Sequence, residues 1–343
     1  ELLRHEFDEL FLVTSEPLHD RFGRDLTRTL TGAGIEVTAV TVCEGESAKS
    51  WDALAELCER LIAAGVTRDS IVLGLGGGMV SNLAGLAAAL IYRGVRYVDV
   101  PTTLLAITDG VLSNKQAING ARGKNQFGVY RAPLFIWADV AYVRHAPLRN
   151  LRSAVVEAVK NGLVNDAAWV ATLEETLDPE LTRVRDDLLG FARAMVESKL
   201  AILRQDPSER ALGTVLEYGH TVGHALEWLS GGRLLHGEAV AIGMNFAARL
   251  GVRLGVTPPE VLARQEHLLG RLLGCPADPP AGRPDPDRVM ELLLTDNKRR
   301  GGDEVRFVLL EDIARPHDPC GDHLTPVPQP VVKSALAETW AEA

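Results

Sequence analysis

The pattern of the chain changes near residue 150, and that change limits the folds open to it. Before it, short β-type runs alternate with helical stretches. Glu9–Val13, Ile35–Val42, Ile71–Leu75, Tyr97–Val100 and Leu134–Trp137 read as strands. Phe22–Leu30, Trp51–Ala64 and Val80–Tyr92 read as helices between them. Such alternation predicts a parallel sheet covered by helices. After it, Ser153–Val164, Leu188–Ile202, Leu212–Leu229, Glu238–Leu254 and Glu260–Leu273 carry helical periodicity with almost no strand signal. Arg306–Leu310 is a lone strand candidate, Arg315–Pro330 reads as a proline-rich linker or arm, and Val331–Ala341 as a terminal helix. The expected division is an α/β domain over 1–150 and an all-α domain over 151–343, with an active site in the cleft between them.

Composition narrows the function classes. Hydrophobic residues make up 46% and charged residues 24%, which fits a soluble globular protein. The net charge of −10 argues against a general nucleic-acid binder but leaves room for a small anionic ligand in a locally basic pocket. Cys43, Cys58, Cys275 and Cys320 form no metal-finger or C-x-x-C spacing, so reduced cysteines in a cytoplasmic protein are expected. No apolar run approaches the roughly 18 residues that span a bilayer, and no signal peptide is visible, so no membrane partner is expected. A chain that opens on Glu1 is expected to lack its natural N-terminus.

Three clusters carry chemistry. Ile71–Leu75 runs into Gly76-Gly77-Gly78 and then a helix, a turn that lets a backbone approach a pyrophosphate at a helix N-terminus. The spacing is not G-x-G-x-x-G, so a tight turn without ligand is the competing reading. Glu157 shares a helix face with Lys160, His220 with His224, and His236-Gly237-Glu238 follows. Two imidazoles and a carboxylate from Glu157, His220 and His236 form a common set for Zn²⁺ and similar ions. Pro101-Thr102-Thr103, Asp109, Lys115, Asn119 and Gly123-Lys124-Asn125 gather lysines in glycine-bounded loops beyond a strand, which suits a phosphate.

As a set, these motifs resemble the sugar phosphate cyclase superfamily that includes dehydroquinate synthase, over about residues 70 to 310. The resemblance implies a Rossmann-like α/β dinucleotide-binding domain followed by an all-α metal- and substrate-binding domain. It also implies a bound NAD, one divalent metal ion (Zn²⁺ or Co²⁺), a small sugar phosphate as substrate, and a homodimer. Carried over residue by residue, the metal ligands fall on Glu157, His220 and His236. Phosphate-binding groups fall on Lys115, Lys124, Asn125, Lys160 and His224, with Arg93 reaching in from a neighbouring subunit. Asp109 and Lys199 match positions that hold substrate hydroxyls. Glu46 and Lys49 match adenosine-ribose contacts, Gly77 and Gly78 the pyrophosphate turn, and Thr102 and Thr103 the next loop.

Two departures refine the resemblance. Dehydroquinate synthases carry an arginine for the substrate carboxylate seven residues before the first motif histidine, where this chain has Gly213. They carry asparagine three residues before it, where this chain has Glu217. A missing guanidinium and an added carboxylate both disfavour a carboxylate substrate. Together with Asp109–Ala117, these positions are similar to the 2-deoxy-scyllo-inosose synthase branch, although Gly110 stands where that branch has serine. That branch implies a redox-neutral cyclisation of glucose 6-phosphate with phosphate release. Lys115, Lys160, His224, Asp109 and Glu217 then serve substrate recognition and proton handling. Another cyclase, or a metal-dependent polyol dehydrogenase, is the alternative.

Overall fold

The computed structural model describes residues 1–279, 282, 284–295 and 302–340. They form two compact units, Glu1–His145 and Ala146–Ala343. In the first, β1 (Leu10–Ser15), α1 (Glu16–Leu18), α2 (Arg24–Gly32), β2 (Val37–Val42), α3 (Trp51–Ala63), β3 (Ile71–Gly76), α4 (Gly78–Leu90) and β4 (Arg96–Pro101) build a four-stranded sheet. Its order is β2-β1-β3-β4, and each paired strand is parallel. β1 and β3 are buried along their whole length, as continuous apolar runs inside a parallel sheet must be. Successive side chains alternate between two cores. Phe11, Val13 and Val72 face α3 and α4, while Leu10, Leu12 and Leu73 pack with Leu26 and Leu30 of α2.

The carboxyl ends of β3 and β4 open onto the glycine turn and Thr102-Thr103. At Gly76 a Cβ would lie 2.5 Å from Val80 Cβ, so the strand can turn that tightly into α4 only with glycine there. α5 (Leu104–Thr108) follows, capped by Thr103, whose Oγ1 accepts from Ala106 N at 3.1 Å. Then come β5 (Lys115–Gly120) and β6 (Gly123–Tyr130), an antiparallel hairpin. This hairpin corrects the expected loop, because its strands mix glycine and lysine and hide the period-2 signal. The expected strand Leu134–Trp137 reduces to one bridge, Asp99 with Ile136. Phe22–Leu30 begins as a π-turn, His19–Gly23, before α2. The last residues of Val80–Tyr92 lie in a 3-10 turn in which Tyr92 and Arg93 have φ of 51° and 69°.

The second unit is mostly helical: α6 (Leu148–Asn165), α7 (Ala167–Thr176), α8 (Thr182–Asp186), α9 (Leu188–Leu203), α10 (His220–Leu229), α11 (His236–Arg253), α12 (Pro259–Glu266), α13 (Pro286–Leu293) and α14 (Gln329–Thr339). α6 is buried from Ser153 to Val164, which makes it the central helix. The expected helix Leu212–Leu229 is broken, because Gly219 takes φ 79° between a 3-10 turn (Leu212–Glu217) and α10. The expected helical character holds, with four short strands added to it. β7 (Glu304–Phe307) pairs with β10 (Thr325–Pro328), and β8 (Leu310–Asp312) with β9 (Arg315–Pro316), so the proline-rich stretch is partly strand. α14 covers most of the expected terminal helix, whose residue 341 lies outside the described residues.

Glycines bring α6, α10 and α11 together. A Cβ on Gly243 would sit 2.0 Å from Gly219 O, and one on Gly237 would sit 1.9 Å from Ser153 O. Gly237 N also donates to Ser153 Oγ at 2.9 Å. Backbone meets backbone at these crossings, which no larger residue permits.

Candidate metal and substrate site

His236 is the first residue of α11, and the Gly237–Ser153 contact presses that end of the helix onto α6 one turn before Glu157. His220 is the first residue of α10. Nε2 of His220 and Nε2 of His236 each lie 3.6 Å from Glu157 Oε1. One ligand atom from each of the three residues falls within 4.8 Å of the others, a spacing that suits a single ion. The orientations are held from behind. His220 Nδ1 is 3.2 Å from Tyr218 O, and His236 Nδ1 is 3.0 Å from Glu227 Oε2. Carbonyl and carboxylate oxygens only accept, so both Nδ1 atoms carry protons, which leaves each Nε2, turned towards Glu157, as the atom that would ligate an ion. Glu157 Oε2 accepts from Lys160 Nζ at 2.5 Å, while Glu157 Oε1 is buried without a hydrogen-bond partner. A buried carboxylate oxygen left in that condition, facing the Nε2 atoms of two imidazoles, fits a cation.

Charge follows the same layout. Burial opposes ionisation of Glu157, but Lys160 first, then His220 and His236, outweigh it and hold the carboxyl well below the usual range. Burial, aided by Lys160, pushes His220 down to about 4 against the pull of Glu157 and Glu217. At His236, burial is overcome by Glu227 and Glu157, and the ring is pushed up to about 10. The His224 ring centroid lies 5.1 Å from that of His220 and 6.0 Å from that of His236. Lys199 is buried on α9, and Glu217 is half-buried at the end of the 3-10 turn. Gly213 is enclosed: its N–H donates to Asp206 Oδ2 at 2.9 Å, and a Cβ there would lie 3.0 Å from Glu209 Cβ.

In the first unit the structure gathers Glu46, Lys49, Asn119, Lys124 and Asn125. Glu46 Oε1 lies 3.0 Å from Lys124 Nζ and accepts from Asn119 Nδ2 at 3.1 Å. Lys49 Nζ donates to Asn125 Oδ1 at 2.5 Å. Residues matched separately to ribose and to phosphate are therefore joined in one network. Asn125 and Asn114 adopt φ of 52° and 54°, a left-handed conformation that asparagine tolerates better than most residues; Asn114 turns the chain into Lys115, the first residue of β5. Gly77 caps α4, with its Cβ position 3.1 Å from Thr103 Cγ2, whereas beyond Gly78 the space is open for 4 Å. Thr102 N donates to Gly76 O at 2.9 Å. Asp109 ends α5, and Arg93 sits in the turn with two left-handed residues.

Sequence reasoning missed Ser153, Tyr218 and Glu227. Glu227 left a signal, since His220, His224 and Glu227 stand at i, i+4 and i+7 on one helix face. Tyr218 acts through its carbonyl, which no side-chain pattern reports.

The chain and its fold are similar to those of known proteins. Residues 39–153 match the family described as 3-dehydroquinate synthase N-terminal, and residues 154–299 the one described as 3-dehydroquinate synthase C-terminal. The 3-dehydroquinate synthase of Pelobacter propionicus is 39% identical over 298 residues, which is 87% of this chain and 82% of its own. The 2-deoxy-scyllo-inosose synthase of Streptoalloteichus tenebrarius is 37% identical over 337 residues, 97% of this chain and 87% of its own. A crystal structure of 2-deoxy-scyllo-inosose synthase complexed with carbaglucose-6-phosphate, NAD⁺ and Co²⁺ superposes with a TM-score of 0.88 at 32% identity, covering 97% of this chain and 91% of that one. The chain belongs to the dehydroquinate synthase family of sugar phosphate cyclases and is an enzyme. No described helix is long and apolar enough to cross a membrane.

Proposed function

We propose that this enzyme is a 2-deoxy-scyllo-inosose synthase, converting D-glucose 6-phosphate to 2-deoxy-scyllo-inosose and phosphate, the first step towards 2-deoxystreptamine aminoglycosides. The observation that carries this reading is the pair Gly213 and Glu217 on the 3-10 turn that leads into His220. An enclosed glycine and a carboxylate, whose charge reaches His220, stand where a carboxylate-bearing substrate would need a cation. Overall identity does not choose between the two activities, at 39% and 37%.

Glu157, His220 and His236 would hold one divalent ion, Zn²⁺ or Co²⁺. The first unit would hold NAD, with the pyrophosphate at the open α4 N-terminus by Gly77 and Gly78, the ribose at Glu46 and Lys49, and Thr102 and Thr103 alongside. When bound, the ion supplies Lewis-acid polarisation of a substrate oxygen, and NAD takes and returns a hydride equivalent. The C5–H and C6–O bonds break, releasing a proton and phosphate, and a C6–C1 bond forms as the C1 carbonyl oxygen takes up a proton, so no net oxidation occurs. Lys115, Lys124, Asn125, Lys160 and His224 would bind the phosphate and stabilise its departure. Arg93 would serve a second copy, making the active form a homodimer. Asp109 and Lys199 would hold hydroxyls. Glu217 would hold and move the proton of a ring hydroxyl through its carboxylate, with Lys115 assisting.

The test is phosphate release and product analysis with Co²⁺, catalytic NAD⁺ and glucose 6-phosphate. Deoxy-inosose without accumulated NADH is expected. No phosphate from glucose 6-phosphate, with turnover of sedoheptulose 7-phosphate or of the dehydroquinate synthase substrate instead, overturns the assignment. Glu217→Gln is expected to keep cofactor and ion binding and lose most turnover; wild-type turnover would remove Glu217 from its role.

A further inference from the structure

Glu227 takes no part in the reaction as assigned, yet it touches a proposed ion ligand. It lies on α10, largely buried, with Oε2 3.0 Å from His236 Nδ1. The corresponding nitrogen of His220 meets the neutral carbonyl of Tyr218. One histidine of the pair is thus backed by a charge and the other is not.

The charge balance gives this asymmetry a meaning. The single ligand carboxylate, Glu157, already faces the Lys160 ammonium at 2.5 Å through Oε2. Two neutral imidazoles and a carboxylate paired in this way leave a dication poorly compensated in a buried setting. Glu227 is a second carboxylate in the same buried cluster, one imidazole away from the point where the Nε2 atoms converge.

We propose that Glu227 is a positioning residue of the ion site. It fixes His236 with the proton on Nδ1, turns Nε2 towards Glu157, and supplies the negative charge that Lys160 cancels at Glu157. This rests on reading Glu157, His220 and His236 as ion ligands.

Titrating Co²⁺ into metal-free protein tests it, with affinity read by chelator competition and geometry by the visible absorption of the bound ion. Glu227→Gln keeps an acceptor for Nδ1–H but removes the charge. It should bind about 10-fold more weakly with a wild-type-like spectrum. Glu227→Ala removes both and should bind about 100-fold more weakly with an altered spectrum. Should the alanine variant not fold, the glutamine variant decides alone. Wild-type affinity in Glu227→Gln, or in both variants, overturns the proposal and leaves the ligand reading intact. If His220→Ala binds Co²⁺ as tightly as wild type, the ligand reading fails, and this proposal with it.

Discussion

Asp99 sits buried on β4 beneath the glycine turn, accepting from Ser81 Oγ at 2.8 Å. Burial pushes its carboxyl up to about 6, and the Ser81 hydroxyl offsets only part of that. The fold therefore holds this proton more tightly than the unfolded chain does. Its contribution to stability is complete below pH 3.8 and is lost as pH rises through about 6. Asp99→Asn should remove that slope. At about 1.4 kcal/mol per pH unit, the variant should gain roughly 3 kcal/mol relative to wild type between pH 3.5 and pH 7.5, measured by urea unfolding. An unchanged difference across that range would mean Asp99 is solvated. Lys160 and Glu157 make a second case. Glu157→Gln strands a buried ammonium and should cost about 3 kcal/mol in metal-free protein, whereas Glu157→Gln with Lys160→Met should recover most of it. Equal losses in the single and double variants would show that the pair is not coupled.

At the scale of elements, the start of α11 is held by contact rather than by side-chain fit. Gly237→Ala would drive a Cβ into Ser153 O and should lower stability by about 1–3 kcal/mol while weakening Co²⁺ binding. Gly270→Ala, on an exposed helical turn where nothing lies within 4 Å, should cost nothing and slightly raise the thermal midpoint. Similar losses in both would show that the crossing is looser than its distances imply. The same elements explain what the sequence revealed. β1 and β3 were legible because their apolar runs are buried throughout, and His220 and His236 because histidines cluster. The β5–β6 hairpin was not legible, since glycines and lysines that serve a site obscure strand periodicity. Leu134–Trp137 looked like a strand by composition but pairs at a single residue. The break at Gly219 depends on how closely α11 approaches, which is a tertiary fact.

At the scale of the whole molecule, the two units should respond to separate ligands. Co²⁺ at about 100 times its Kd should stabilise the folded protein by about 2.7 kcal/mol, and NAD⁺ should do the same independently. In His220→Ala the Co²⁺ response should vanish while the NAD⁺ response persists, as read by thermal unfolding. Loss of both responses would mean that one unit's ligand site requires the other. The spacing of the proposed ion ligands, finally, is set where Gly219, Gly237 and Gly243 bring main chain against main chain. Because those distances do not depend on which apolar residues fill the surrounding core, evolution can exchange most of the interior without detuning the centre. Relatives sharing fewer than four residues in ten with this chain still match it over most of its length.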